Sequence, residues 1–89
     1  MDYNKMIPTF KKIVADYIRE ELLPESKTEF KDEDVYVVWY CKTLKNAKAL
    51  LSTDIPDGRY YEVTYNGEKN EYYFDAYKKE KNKRIVIED

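Results

Sequence analysis

Eighty-nine residues leave room for one domain, and a chain of this size removes only about 60 to 65 % of its unfolded surface from water, so its core must be small and close-packed. Charged residues at 38 % and hydrophobic ones at 43 % exclude a disordered chain, and no apolar run approaches the roughly 18 residues that cross a bilayer. The net charge is −2 and there is no histidine, which removes the commonest general base and the commonest metal ligand together.

In chain order, Met6, Ile7, Phe10, Ile13, Val14, Tyr17, Ile18 and Leu22 recur at three- and four-residue spacing, which predicts a helix over residues 3 to 23 with one buried face. Asp16 and Arg19 fall off that stripe as a favourable pair, whereas Asp16 and Glu20 repel. Pro8 is tolerated in the first turn of a helix, so the helix is expected to begin near Met6, or at Asn4 with an early bend. Pro24 should stop it. Residues 24 to 34 are polar and acidic and read as a connector, with Phe30 as its anchor on the core.

Val35-Tyr36-Val37-Val38-Trp39-Tyr40-Cys41 is β-branched and aromatic throughout, at strand length. Strict alternation puts Val35, Val37, Trp39 and Cys41 on one face and Tyr36, Val38 and Tyr40 on the other. With both faces apolar, the strand is expected in the interior of a sheet, and Trp39 as a core aromatic whose loss costs about 3 to 5 kcal/mol. Cys41 has no second cysteine to pair with and reads as a small core hydrophobe. Residues 47 to 52 have strand length but also fit a helical stripe through Leu44, Ala47, Leu50 and Leu51; we take them as a strand.

Pro56-Asp57-Gly58 predicts a turn. Beyond it Tyr61, Val63 and Tyr65 alternate with Tyr60, Glu62 and Thr64, and Asn66-Gly67 signals a hairpin that Glu68, Lys69 and Asn70 would lengthen. The return strand sets Tyr72, Phe74 and Ala76 against Tyr73, Asp75 and Tyr77. Glu80-Lys81-Asn82 reads as a last turn and Arg84-Ile85-Val86-Ile87 as a short closing strand. The prediction is an α+β domain over residues 1 to 89: an N-terminal helix packed on an antiparallel sheet of four or five strands, spanning residues 35 to 87.

The blocks Val35-Tyr36-Val37-Val38-Trp39-Tyr40-Cys41-Lys42-Thr43-Leu44, Lys48-Ala49-Leu50-Leu51-Ser52-Thr53, the run from Asp57-Gly58-Arg59-Tyr60-Tyr61 to Asn66-Gly67, and Tyr73-Phe74-Asp75-Ala76-Tyr77-Lys78-Lys79 resemble a family of small phage and prophage proteins of bacteria, classed as a domain of unknown function. The resemblance covers about half the chain and carries no activity or site residues. It implies a phage-encoded protein at work in the cytoplasm of a bacterial host. The opening Met1-Asp2-Tyr3-Asn4-Lys5, with no basic region leading into an apolar one, also predicts the cytoplasm.

Candidate sites follow from composition. Ten tyrosines are unusual for this length, and Tyr60, Tyr61, Tyr65, Tyr73 and Tyr77 are candidates for a protein-binding face, since exposed tyrosine rings anchor interfaces. Cross-strand pairing inside the monomer is the structural alternative. Asp32, Glu33 and Asp34 are candidates for an acidic surface presented to an enzyme that binds nucleic acid. A basic C-terminal hairpin carrying Lys78, Lys79, Lys81, Lys83 and Arg84 suggests the rival reading, stacking of single-stranded nucleic acid on the tyrosine face. Asp54, Asp57, Glu62 and Asp75 have no nucleophile or histidine beside them in sequence. Asp54-Ile55-Pro56-Asp57-Gly58 lacks the alternating acids of a calcium loop, and no glycine-rich phosphate loop occurs. The expectation is a non-enzymatic protein without metal or cofactor and without membrane attachment, binding a bacterial host protein or its own copy. An inhibitor of a host defence or housekeeping enzyme is the specific form the phage context suggests.

Overall fold

The structure is a computed structural model that describes residues 3–23 and 29–87. A helix, α1 (Tyr3–Tyr17), runs on through a widened π turn, Ile18–Leu22, in which Leu23 N–H donates to Ile18 O at 2.8 Å. A short 3₁₀ turn over Asp32–Asp34 leads into four strands, β1 (Val35–Thr43), β2 (Asn46–Thr53), β3 (Arg59–Asn66) and β4 (Glu71–Lys78). They form one antiparallel sheet in the order β1-β2-β3-β4. Residues 24 to 28 of the connector, with the expected stop at Pro24, lie outside the described residues.

The stripe read from the sequence is the face that α1 buries. Met6, Ile7, Phe10, Val14, Ala15 and Ile18 are all buried, against Val35, Ala47, Ala49, Leu51, Tyr61 and Val63 from the sheet. Alanines on β2 leave room for the helix, and aromatic rings wall it in on either side. Tyr40 of β1 lies 6.4 Å from Phe10 between centroids, Tyr72 of β4 meets the same ring edge-on at 5.9 Å, and Tyr17 packs on both Tyr61 and Phe74. Such pairs add about 0.5 to 1.5 kcal/mol each beyond the area they bury. Pro8 is exposed and sits at the sixth helical residue, not in the first turn, because α1 already begins at Tyr3. The helix donor it lacks is one that would have reached back to Asn4, close to the helix start.

The far end of the helix is tied to the connector by Arg19. Its guanidinium reaches Asp16 Oδ1 at 2.7 Å, Asp32 Oδ1 at 3.0 Å and the Phe30 carbonyl at 2.9 Å, while Lys12 Nζ pairs with Asp16 Oδ2 at 2.9 Å. Hydrogen bonds from Lys12 and Arg19 lower the Asp16 pKa below its ordinary value, and the bonds to Asp16 and Asp32 raise that of Arg19. Phe30 packs against the core, so the expected anchor is in place.

β1 departs from its predicted setting in three ways. It is an edge strand, not an interior one. Its pairing slips between Val37, opposite Leu51, and Trp39, opposite Leu50, leaving Val38 as a bulge. One extra residue reverses the alternation beyond it, so Tyr40 joins Val35 and Val37 on the helix side while Trp39 and Cys41 join Tyr36 on the other. Trp39 is therefore 42 % exposed and not a core residue, and the Cys41 thiol is exposed and free.

Residues 47 to 52 are strand, as preferred. The closing strand and the basic hairpin do not form: past Lys79, whose N–H donates to Gly58 O, the chain runs to Ile87 without pairing, and Ile85, Val86 and Ile87 are 73, 65 and 84 % exposed. The sheet thus has four strands. Gly58, at φ +70°, makes the predicted turn. Gly67 serves a different purpose from the one its dipeptide suggested. The β3–β4 loop has four residues and its left-handed position is Asn70, whereas Gly67 lies so close to the β1–β2 turn that a Cβ would run into the Lys45 backbone.

Candidate protein-binding face

The sheet has a helix on one side and, among the described residues, nothing on the other. Side chains on the bare side follow from strand parity and register. Trp39 of β1 stands opposite Leu50 of β2, Leu50 opposite Glu62 of β3, and Glu62 opposite Asp75 of β4. Towards the start of β1, Tyr36 pairs with Ser52, and Tyr60 with Tyr77; towards its end Cys41, Lys48, Thr64 and Tyr73 form a row. Tyr36, Val38, Trp39, Tyr73 and Tyr77 are between 42 and 52 % exposed. A shallow groove of about 250 Å³ runs beside Trp39, floored by Cys41, Lys48 and Thr64.

Two carboxylates lie at the centre of this face. Glu62 and Asp75 stand directly opposite on neighbouring strands, an arrangement that destabilises a sheet. Lys48 Nζ lies 3.5 Å from Glu62 Oε1 and offsets part of it. Asp75 has no such neighbour among the described residues. At the edge, the Tyr73 hydroxyl donates to Glu71 Oε2 at 2.6 Å, which raises its pKa above the ordinary tyrosine value.

The predicted candidates divide between the two sides. Tyr60, Tyr73 and Tyr77 are on the bare face. Tyr61 and Tyr65 are not: Tyr61 is 1 % exposed under the helix, and burial, with the Asp57 charge adding to it, pushes its pKa up to about 12. Tyr65 faces the same layer, its ring 4.9 Å from that of Tyr72 and its hydroxyl bonded to Asn70 Oδ1. Tyr36, Trp39 and Leu50 complete the face in their place. Only the bulge hid Trp39, whereas Tyr36 shares a row with Ser52 and was within reach once the strands were registered.

Asp32, Glu33 and Asp34 are together in space but differ in occupation. Asp32 is held by Arg19, and Asp34 Oδ2 accepts the Lys31 backbone N–H at 2.8 Å. Glu33 is exposed and forms no ion pair among the described residues. Glu33 and Asp34, with Asp54, rim an open groove of about 520 Å³ that Phe30, Tyr36 and Ile55 line. Lys78, the last residue of β4, is exposed, and Lys79, Lys81, Lys83 and Arg84 are exposed on the C-terminal segment beyond it. No group of acids and cysteine able to hold a metal ion is present among the described residues, and no helix is long and apolar enough to cross a membrane.

A family of unknown function, DUF6275, matches residues 7–87. The chain belongs to that family. The DUF6275 match takes in all four strands, the bulge, the bare face and the C-terminal segment as far as Ile87. No curated protein and no solved structure matches the chain.

Proposed function

We propose that this DUF6275 protein is a non-enzymatic binding module that grips another protein with the bare face of its sheet. The observation that carries this reading is Trp39 with Tyr36, Tyr73 and Tyr77 exposed, and Tyr60 half-buried beside them, around Leu50 on an otherwise ordered sheet. Aromatic anchors of this kind supply most of the energy of protein interfaces. Four strands of eight or nine residues present a footprint of about 500 Å², the right order for one side of a standard interface, at about 800 Å² of accessible surface per partner.

The carboxylates narrow the partner's chemistry. A lysine or arginine entering between Glu62 and Asp75 would relieve their repulsion and be desolvated by the surrounding rings, a charge pair at the centre of an apolar patch. The same carboxylates, with Glu71, disfavour nucleic acid on this face, since stacking of bases requires positive charge beside the rings. Of the basic residues, Lys78 ends β4 and Lys79 to Arg84 lie on a separate segment beyond it. In the phage setting that the resemblance implies, the partner is a protein of the bacterial host cytoplasm, and blocking a defence or housekeeping enzyme is the outcome of binding.

The test is retention of partners from bacterial lysate by the tagged full chain and by Trp39→Lys and Asp75→Lys variants, each with and without nuclease. A host protein held by the wild type through nuclease treatment and released by both variants supports the proposal. Loss of every partner on nuclease treatment transfers the function to nucleic acid, and undiminished retention by both variants rules this face out.

A further inference from the structure

The C-terminal segment and the free side of β1 are each incomplete, and they match. Ile85, Val86 and Ile87 are β-branched, a composition suited to a strand, yet they are extended, unpaired and among the most exposed apolar residues of the molecule. Lys81, Lys83 and Arg84 precede them and form no ion pair among the described residues. β1 offers an edge whose first stretch, Val35-Tyr36-Val37, comes before the Val38 bulge. Glu33, Asp34 and Asp54 lie at its start, around the groove that Tyr36 also lines, and they too lack ion-pair partners among the described residues.

We propose that residues 83–87 form an arm that adds a parallel strand to β1 of a second copy of this chain, in the register Ile85 to Val35, Val86 to Tyr36 and Ile87 to Val37. This register alone brings three complementarities together. Lys83 falls beside Glu33 and Arg84 beside Asp34, opposite in charge at both positions. Ile85 and Ile87 point with Val35 and Val37 towards the helix layer, and Val86 points with Tyr36 towards the bare face. The pairing then ends where the bulge ends the regular edge. An antiparallel arm would instead set the carboxylates that follow Ile87 against Glu33 and Asp34.

Distance argues for a second copy over the chain's own edge. Lys79 is fixed at the base of β4 by its N–H to Gly58 O. The free side of β1 is four strand spacings away, about 19 Å, and the six steps from Lys79 to Ile85 span at most about 20 Å. An intramolecular arm would have to be taut and pass through the space of the turn at Pro56-Asp57-Gly58. In a dimer each arm reaches the other copy without that detour, and the reciprocal exchange closes on itself. The radius of gyration of 14.9 Å, against about 12 Å for a compact chain of this length, fits an arm held away from its own body.

The experiment is the mass of the full chain in solution over a wide concentration series, by light scattering or sedimentation. The wild type is expected to pass from monomer to dimer, and Ile85→Lys with Ile87→Lys to remain monomeric throughout; both side chains are exposed, so folding is not at issue. Glu33→Lys and Lys83→Glu should each raise the dimer dissociation constant by about twofold to fivefold, and the double variant should restore it. A wild type that stays monomeric at every concentration overturns the proposal. So does a dimer that survives the arm substitutions, and one lost in Trp39→Lys instead would place self-association on the bare face.

Discussion

The two faces of the sheet are built from similar residues and do opposite things. On the helix side Tyr61, Tyr40, Phe74 and Tyr72 pack ring to ring around Phe10 and Tyr17, and their neighbours are small or aliphatic. On the other side Tyr36, Trp39, Tyr60 and Tyr77 stand among Lys48, Glu62 and Asp75. Aromatic content is therefore no guide to the core of this protein. What separates the faces is where the charge stands: Lys48, Glu62 and Asp75 are interleaved with the rings on the bare face, whereas on the helix side Lys42, Arg59 and Lys78 stand at the strand ends, away from the rings that pack on Phe10 and Tyr17.

Substitution of one ring on each face is the strongest way to break this comparison. Phe10→Ala, fully buried, should destabilise the fold by about 3 to 5 kcal/mol, whereas Trp39→Ala should lower stability by less than about 1 kcal/mol. Denaturant titrations of the two variants decide it, and an equal loss from Trp39→Ala would mean that the bare face is covered in the folded protein. Alkali should discriminate next. The Tyr61 phenol has a folded pKa raised from 10 to about 12, so the folded state keeps its proton where the unfolded state loses it. Stability is then full below pH 10 and falls as the pH rises to 12, by about 2 to 3 kcal/mol. Tyr61→Phe should flatten that slope.

Smaller effects sharpen the picture at the sheet's end and centre. Gly67→Ala, forced against the Lys45 backbone, should cost about 1 to 3 kcal/mol, read from thermal unfolding. Asp16 has a lowered folded pKa, so its contribution is present above its ordinary value of 3.8 and fades as the pH falls through the folded value. Half exposed as it is, it supplies no more than about 1 kcal/mol, and Asp16→Asn should remove that acid dependence. The smallest effect is the most informative. Asp75→Asn should stabilise the sheet by about 0.2 to 0.5 kcal/mol by relieving Glu62 while weakening partner binding, and a stabilised variant that still binds fully would argue against the basic anchor.

The helix, the Pro56-Asp57-Gly58 turn and the split of Tyr60 from Tyr61 and of Tyr73 from Phe74 were legible because each rests on local periodicity. Three features were not. A bulge leaves no residue signature at Val38, since valine suits a regular strand equally well, and the resulting reversal moved Trp39 from core to surface. The last strand failed for a different reason. Ile85, Val86 and Ile87 have the propensity for one, but pairing needs a neighbouring edge, and propensity says nothing of whether one is within reach. Interior position was misjudged on the same ground, because apolar residues on both sides of β1 describe its environment without fixing its place in the order.

The bulge also bears on solubility. A nine-residue edge strand as apolar as β1 is a template on which chains can stack without limit, the geometry from which fibrils grow. Breaking its regularity at Val38 leaves too short a run for open-ended stacking. Deleting that one residue would join Val37 directly to Trp39, which stays opposite Leu50 on the bare face, and leave the edge regular along its whole length. The shortened chain should keep its core and yet be more prone to aggregate than the full chain, the reverse of what a deletion inside a surface strand ordinarily does.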